Sequence, residues 1–192
     1  IVLSGSTVRA WGDSSSNTFD MLQGDAAEMP IWVSAKEQLR FASAAGMNLQ
    51  TSGADITLSG AFTVGAKVTV GASLGTLLAD NTTAGEWLRF ISTTVIRLKI
   101  DNTTAVDFTL DSGAWGDGYL VISRDAADQI TMYWNGTAQA DTEELTGTAN
   151  IDAIGVRKTD LNPFDGFIKE IQIFSSSNAS LIANVNSRLS SL

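Results

Sequence analysis

Two residue types are missing altogether: the 192 residues contain no cysteine and no histidine. The first absence excludes disulfides, thiolate metal sites and thiol nucleophiles. The second removes imidazole metal ligands, the usual serine triad and the commonest general base. Together they argue against most enzymes, and a protein that is not an enzyme is expected. Positive charge is also scarce, with 12 Lys and Arg against 21 Asp and Glu, a net charge of −9 and a pI of about 4.3. A chain of that sign repels phosphate backbones, so no nucleic-acid partner is expected. No apolar run approaches the roughly 18 residues of a membrane-spanning helix, so no membrane span is expected either. The chain opens on Ile1, not Met, and shows no basic leader before a long apolar segment. It therefore reads as processed, as a piece of something longer, or as starting before Ile1.

What the sequence has instead is alternation. Asp117 to Thr137 reads as two strands joined by a polar turn at Asp125–Asp128, with a second turn at Asn135-Gly136. Asn-Gly is the strongest short hairpin signal, because both central residues of a type I′ turn need φ above zero. Ile130, Met132 and Trp134 share one face of their strand, and Thr131 and Tyr133 the other. The first face is expected inside, since burying it gains more. Phe62, Val64, Ala66, Val68 and Val70 alternate with period two, the pattern of a half-buried strand. Pro30 opens Ile31-Trp32-Val33, which pairs with Leu39-Arg40-Phe41 across a link with Lys36 and Glu37 near its tip. Proline is tolerated at a first strand position, where no ladder donor is lost. Trp87–Ile91 and Val95–Ile100 form another hairpin, with Arg97 and Lys99 opposite Ile96, Leu98 and Ile100. Asp80–Gly85 and Asp101-Asn102 read as turns.

In Gly166–Phe174 the alternation breaks phase between Ile168 and Ile171, and a β-bulge repairs it. One stretch, Asn178–Leu192, reads as helix. Leu181, Ile182, Val185 and Leu189 share a face there, and Ser177 or Asn178 caps it. Ser4–Met29 is polar and weakly periodic, so it reads as loop or extended arm, anchored by Trp11. Strands recurring every 8–12 residues or so mark a sandwich or barrel. The expected fold is all-β: an antiparallel two-sheet jelly-roll sandwich over residues 30–192, with an N-terminal arm (1–29) and a short C-terminal helix. A single domain of this size buries roughly 70% of its unfolded surface and needs no staples.

Several stretches together resemble a known superfamily. They are Ala61–Val64, Ile122–Asp125, Ile130–Gly136, Ile154-Gly155, and Phe164–Phe174 with Phe164, Gly166, Ile168, Glu170, Ile171, Ile173 and Phe174 in register. This pattern, over roughly Leu39 to Leu189, resembles the concanavalin A-like lectin/glucanase superfamily, and more narrowly its laminin-G-like branch. Upstream, Trp11, Asp13, Asn17, Gln23 and Pro30 resemble a lead-in found before such domains in phage structural and bacterial surface proteins. The resemblance implies a virion decoration or fibre-type protein with capsid or tail proteins and copies of itself as partners. The alternative it implies is a carbohydrate-binding module, extracellular or on a cell surface, that attaches to glycans. The glucanase strand Glu-x-Asp-x-x-Glu, whose carboxylates share a face, is missing. Glu143 and Glu144 are adjacent and face opposite sides; with Asp141 they read as a solvated turn.

The candidate site residues follow from these alternatives. Sugar binding needs aromatic faces beside polar groups. Trp87, Trp115, Tyr119 and Tyr133 are the candidates, with Arg89, Arg97 and Lys99 as polar neighbours. Trp115 stands out because Gly113–Gly118 reads as a loop, although core burial remains open for it. Arg97 and Lys99 otherwise form a solvated strand face. No cofactor is expected beyond calcium, which Asp111 and Asp117 are the best placed to hold, with Asp125, Asp128 and Asp101-Asn102 as further acidic loop sites. The alternative for all of them is turn chemistry. The Asn-x-Ser/Thr triplets at Asn81, Asn102, Asn135 and Asn178 read as turn composition.

Overall fold

A computed structural model of the chain describes residues 1–51, 53–80, 86–101, 105–157 and 161–192. The strands run in chain order as Val2–Ser4 (β1), Thr7–Trp11 (β2), Met21–Leu22 (β3), Ile31–Val33 (β4), Gln38–Phe41 (β5) and Leu49–Thr51 (β6). Ile56–Leu58 (β7), Phe62–Val70 (β8), Gly75–Ala79 (β9), Glu86–Phe90 (β10), Val95–Leu98 (β11) and Val106–Thr109 (β12) follow. Asp117–Arg124 (β13), Gln129–Trp134 (β14), Thr137–Glu144 (β15), Ala149–Ile151 (β16), Ala153–Ile154 (β17) and Gly166–Phe174 (β18) complete the sheets, and Ala179–Ser190 (α1) is the helix.

One hydrogen-bonded path runs β12-β11-β10-β9-β17-β6-β3-β2-β4-β5-β18-β8-β13-β14-β15, and its named pairs are antiparallel. It doubles over at the β3-β2-β4 corner into the two layers of a jelly-roll sandwich, and its two ends, β12 and β15, come back into contact. Between the layers lies a single apolar cluster. Phe62 of β8 meets Trp87 of β10 at 5.9 Å between ring centroids, and Phe90 of β10 meets Phe164 at 6.0 Å. Ile130 and Met132 are buried in this cluster and Trp134 is half-buried against it, as the alternation predicts. The Asn135-Gly136 turn has φ of 50° and 80° at its two central residues, the type I′ geometry.

Arg124 is the one charged side chain at 0% exposure among the described residues. Its Nε and Nη2 donate to the Gly60 carbonyl at 2.9 and 2.6 Å, and Nη1 donates to Leu145 and Gly147 at 3.1 and 2.8 Å. The guanidinium also lies 4.9 Å from the centre of the Phe62 ring. It ties the loops at one end of the sandwich together, and burial pulls its pKa below the ordinary value.

The first 29 residues are extended, with the short strands β1, β2 and β3 joined by turns and irregular stretches. β2 and β3 are rungs of the path between the layers, and Val8, Met21 and Met29 are buried. Likewise Asp141, Glu143 and Glu144 belong to the end of β15 and not to a turn. Asn81, Asn102 and the Asp80–Gly85 turn beyond Asp80 lie outside the described residues.

Two outcomes are expected. Gly166 has φ of +147°, and a Cβ there would lie 2.1 Å from the Thr69 carbonyl oxygen. Gly166→Ala should therefore cost about 3 kcal/mol in urea unfolding; a loss under about 1 kcal/mol would mean that the backbone gives way. Deleting residues 1–29 should lower the melting temperature by more than about 10 °C, because three buried apolar side chains leave with it. A truncated chain melting with the full-length one would make the segment a separate arm.

Candidate functional site

The sandwich separates the expected site residues. Trp87 is 2% exposed, behind a register shift in β10 that buries it beside Leu88. Trp115 is 8% exposed and lies edge-on between Phe90 and Trp134, with centroids 5.2 and 5.0 Å away. Both rings are core, and neither offers a face to a sugar. The alternative open for a loop tryptophan is the one realised: the Trp115 backbone N–H donates to the Thr93 carbonyl, and its ring packs in the core. Tyr119 and Tyr133 lie on the outer face of the other layer, packed with Val121, Val185 and Leu189 beneath α1. Arg97 forms a two-pronged ion pair with Asp107 across β11 and β12, at 2.7 and 2.9 Å. That pair holds the Asp107 carboxyl below its ordinary pKa.

The aspartates proposed for calcium are also kept apart. Both oxygens of Asp111 accept the Ala140 backbone N–H, at 3.1 and 3.0 Å. Asp117 lies 3.6 Å from Lys67 Nζ and accepts the Thr69 hydroxyl at 3.2 Å. Asp125 accepts the N–H groups of Ala127 and Gln129, which is turn chemistry. Among the described residues no three acidic side chains come together as a metal cage.

What the fold does gather is a groove of about 270 Å³ on the outer face of β5, β18, β8 and β13. The predicted bulge in β18 builds it. The register shifts between Ile168 and Glu170, so Ile168 and Ile171 both reach the core and two residues, Lys169 and Glu170, stand between them opposite Lys67. Those two side chains part. Glu170 accepts Arg188 of α1 at 2.6 Å, which holds its carboxyl below the ordinary pKa. Lys169 lines the groove, donating to the Leu192 carbonyl oxygen at 3.1 Å. Lys67 and Thr69 of β8, Asp117 of β13, Phe167 of β18 and Gln38 of β5 line it too. Lys36 closes one side from the single turn Ser34–Lys36, which ends on Glu37 at φ of 50°. Of the expected site residues only Asp117 belongs to this groove. Lys36 was visible as a hairpin tip and Lys169 as a break in alternation, but neither pattern says that the two converge.

Leu192, just past the end of helix α1, forms the other wall. Asn178 caps that helix, accepting the Leu181 N–H at 2.9 Å. The helix lies over Gly65, where a Cβ would stand 2.6 Å from Val185 Cγ1. The lead-in segment turns out to be a hydrogen-bonded turn: Asp13 accepts the Ser15 N–H and hydroxyl and the Phe19 N–H, and Gln23 donates to the buried Asn48. The Ser15 bonds, chiefly, lower the Asp13 pKa.

Comparison with solved structures identifies the fold. The chain superposes on the binding domain of Paraclostridial Mosquitocidal Protein 1 with a TM-score of 0.60 at 13% identity, covering 97% of this chain and 52% of that one. A heptameric SAP-like pentraxin from Limulus polyphemus gives 0.59 at 10% identity, covering 82% of each chain. The binding domain of botulinum neurotoxin DC, in complex with rat synaptotagmin II, gives 0.60 at 13% identity, again covering 97% and 52%. The chain thus has a lectin-like jelly-roll fold and spans about half the length of the toxin binding domains it matches. No protein-family model and no curated protein matches it.

The Glu170–Arg188 pair yields a pH dependence. A carboxyl whose folded pKa is lowered stabilises the fold above its unfolded value and ceases to as pH falls through the folded one. Glu170→Gln should therefore lower the melting temperature at neutral pH, and the gap should close as pH drops below 4.5, the ordinary value. Thermal melts of both chains across that range are the measurement; a gap that persists in acid would show that the pair does not hold α1.

Proposed function

We propose that this chain is a non-enzymatic binding module on a lectin-like sandwich, displayed on a virion or cell surface and acting through contacts with other proteins, including copies of itself. The observation that carries this reading is the N-terminal sheet corner. The registers Val2↔Ala10 and Ala10↔Leu22 put these three side chains in one lateral row across β1, β2 and β3. Ile1, Val2, Leu3 and Leu22 are four of the six large apolar side chains exposed among the described residues. Among the described residues β1 pairs only with β2, which leaves its other edge an open row of backbone donors and acceptors. An apolar open edge invites strand addition, and a second copy pairing about a two-fold axis satisfies both edges at once. The placement of Glu143 and Glu144, exposed neighbours at the end of β15 and not a pair on one strand face, supports the non-enzymatic part. The likeness of the lead-in segment to that of phage structural and bacterial surface proteins supports display on a particle or cell.

Light scattering after gel filtration tests the reading, with Val2→Asp/Leu3→Asp beside the parent chain. The parent should run as a dimer or larger at about 100 μM, and the variant as a monomer with the same melting temperature. A parent chain that stays monomeric there would remove the self-association.

A further inference from the structure

We infer that the lysine-lined groove is a binding site for one acidic sugar unit, a pyranose carrying a carboxylate or sulfate. The charge distribution is the first reason. The chain has five lysines, Lys36, Lys67, Lys99, Lys158 and Lys169, and a net charge of −9. Three of those five line this one groove. Among the described residues Asp117 is its one acidic side chain, bonded to Lys67 and Thr69 so that it holds Lys67 in place, while Lys169 donates to the Leu192 oxygen at the edge of the groove. Lys36 has no carboxylate partner among the described residues. Three ammonium groups thus face one carboxylate side chain, and an anionic group set among them offsets the excess positive charge.

The lining chemistry is the second reason. Gln38 and Thr69 are neutral hydrogen-bonding groups and Phe167 is an aromatic ring, all in the same groove. Charged groups for an acid, amide and hydroxyl for ring hydroxyls, and a ring for an apolar sugar face form a complete set. Size and position then choose among anions. About 270 Å³ is at the small end of ligand sites, room for one unit and not a chain. The groove lies on a sheet face, whereas extended peptides add along strand edges. A long polyanion would meet the net negative charge of the rest of the surface.

No residue of β1 lines the groove, so the two readings fail separately. The test is isothermal titration calorimetry of the full chain at low salt. The probes are a glucuronate-containing disaccharide, its sulfated form, neutral lactose and a hexaglutamate peptide. One or both acidic disaccharides should bind with Kd below about 1 mM, weakening with added salt, and lactose should not bind. Lys36→Gln/Lys67→Gln should weaken binding at least about tenfold, the scale of a lost charge-assisted hydrogen bond. Lys99→Gln, on the other layer, and Val2→Asp/Leu3→Asp should leave it unchanged. In parallel, amide shift changes in the parent chain should centre on Lys67, Phe167 and Lys169, which keeps the test valid if the double variant does not fold. Absence of binding by both acidic disaccharides, equal binding by Lys36→Gln/Lys67→Gln, tighter binding of the peptide, or shift changes elsewhere would each overturn the assignment.

Discussion

The packing of the two inner faces against each other fixes everything on the outside of this sandwich. Phe62 meets Trp87 from one layer to the other, and Phe164, Phe90, Trp115 and Trp134 form a second run of ring contacts. The aliphatic residues around them complete one continuous cluster. Aromatic rings of this size bury more area per residue than any other side chains, so they dominate the energy holding the layers. Arg124 closes one end by answering the carbonyls of two loops, and it is held by its hydrogen bonds and not by exposure to water. Once the inner residues are committed, the pleat sends the alternate side chains of a regular strand to the outer face.

That assignment explains why the bulge in β18 matters. A regular strand would place Lys169 and Glu170 on opposite faces, and one charge would be driven into the core. The extra residue lets Ile168 and Ile171 both pack inward while both charges stay outside. One then holds the helix through Arg188 and the other is left to the groove. Helix docking and groove formation thus share one irregularity. Gly65 serves the same arrangement from the neighbouring strand, since its missing side chain leaves room for Val185 and Leu189.

Much of the fold was legible because it rests on local rules. The type I′ turn at Asn135-Gly136, the inward face of Ile130 and Met132, the bulge and the Asn178-capped helix each follow from a few adjacent residues. The site was not legible in the same way. Trp87 and Trp115 have the residue type a sugar platform needs, yet both are buried, because residue type does not report on which side of a bulge or loop a ring ends. Asp111 and Asp117 have the chemistry of a cation site, but each satisfies a neighbouring strand or side chain. The N-terminal segment read as loop because its strands are two to five residues long, too short for alternation to register.

By itself the sequence determined the class of structure and the chemistry missing from it. Alternation with period two commits the strands to a layered sheet, and the absence of cysteine and histidine closes off thiol and imidazole chemistry wherever the residues go. Only the tertiary structure decided which charges meet. Lys36, Lys67 and Lys169 come from three segments up to 133 residues apart in number, as 169 less 36 gives. They converge because β5, β18 and β8 are neighbours in the sheet. That adjacency is set by long-range pairing and core packing, which no short stretch of sequence encodes.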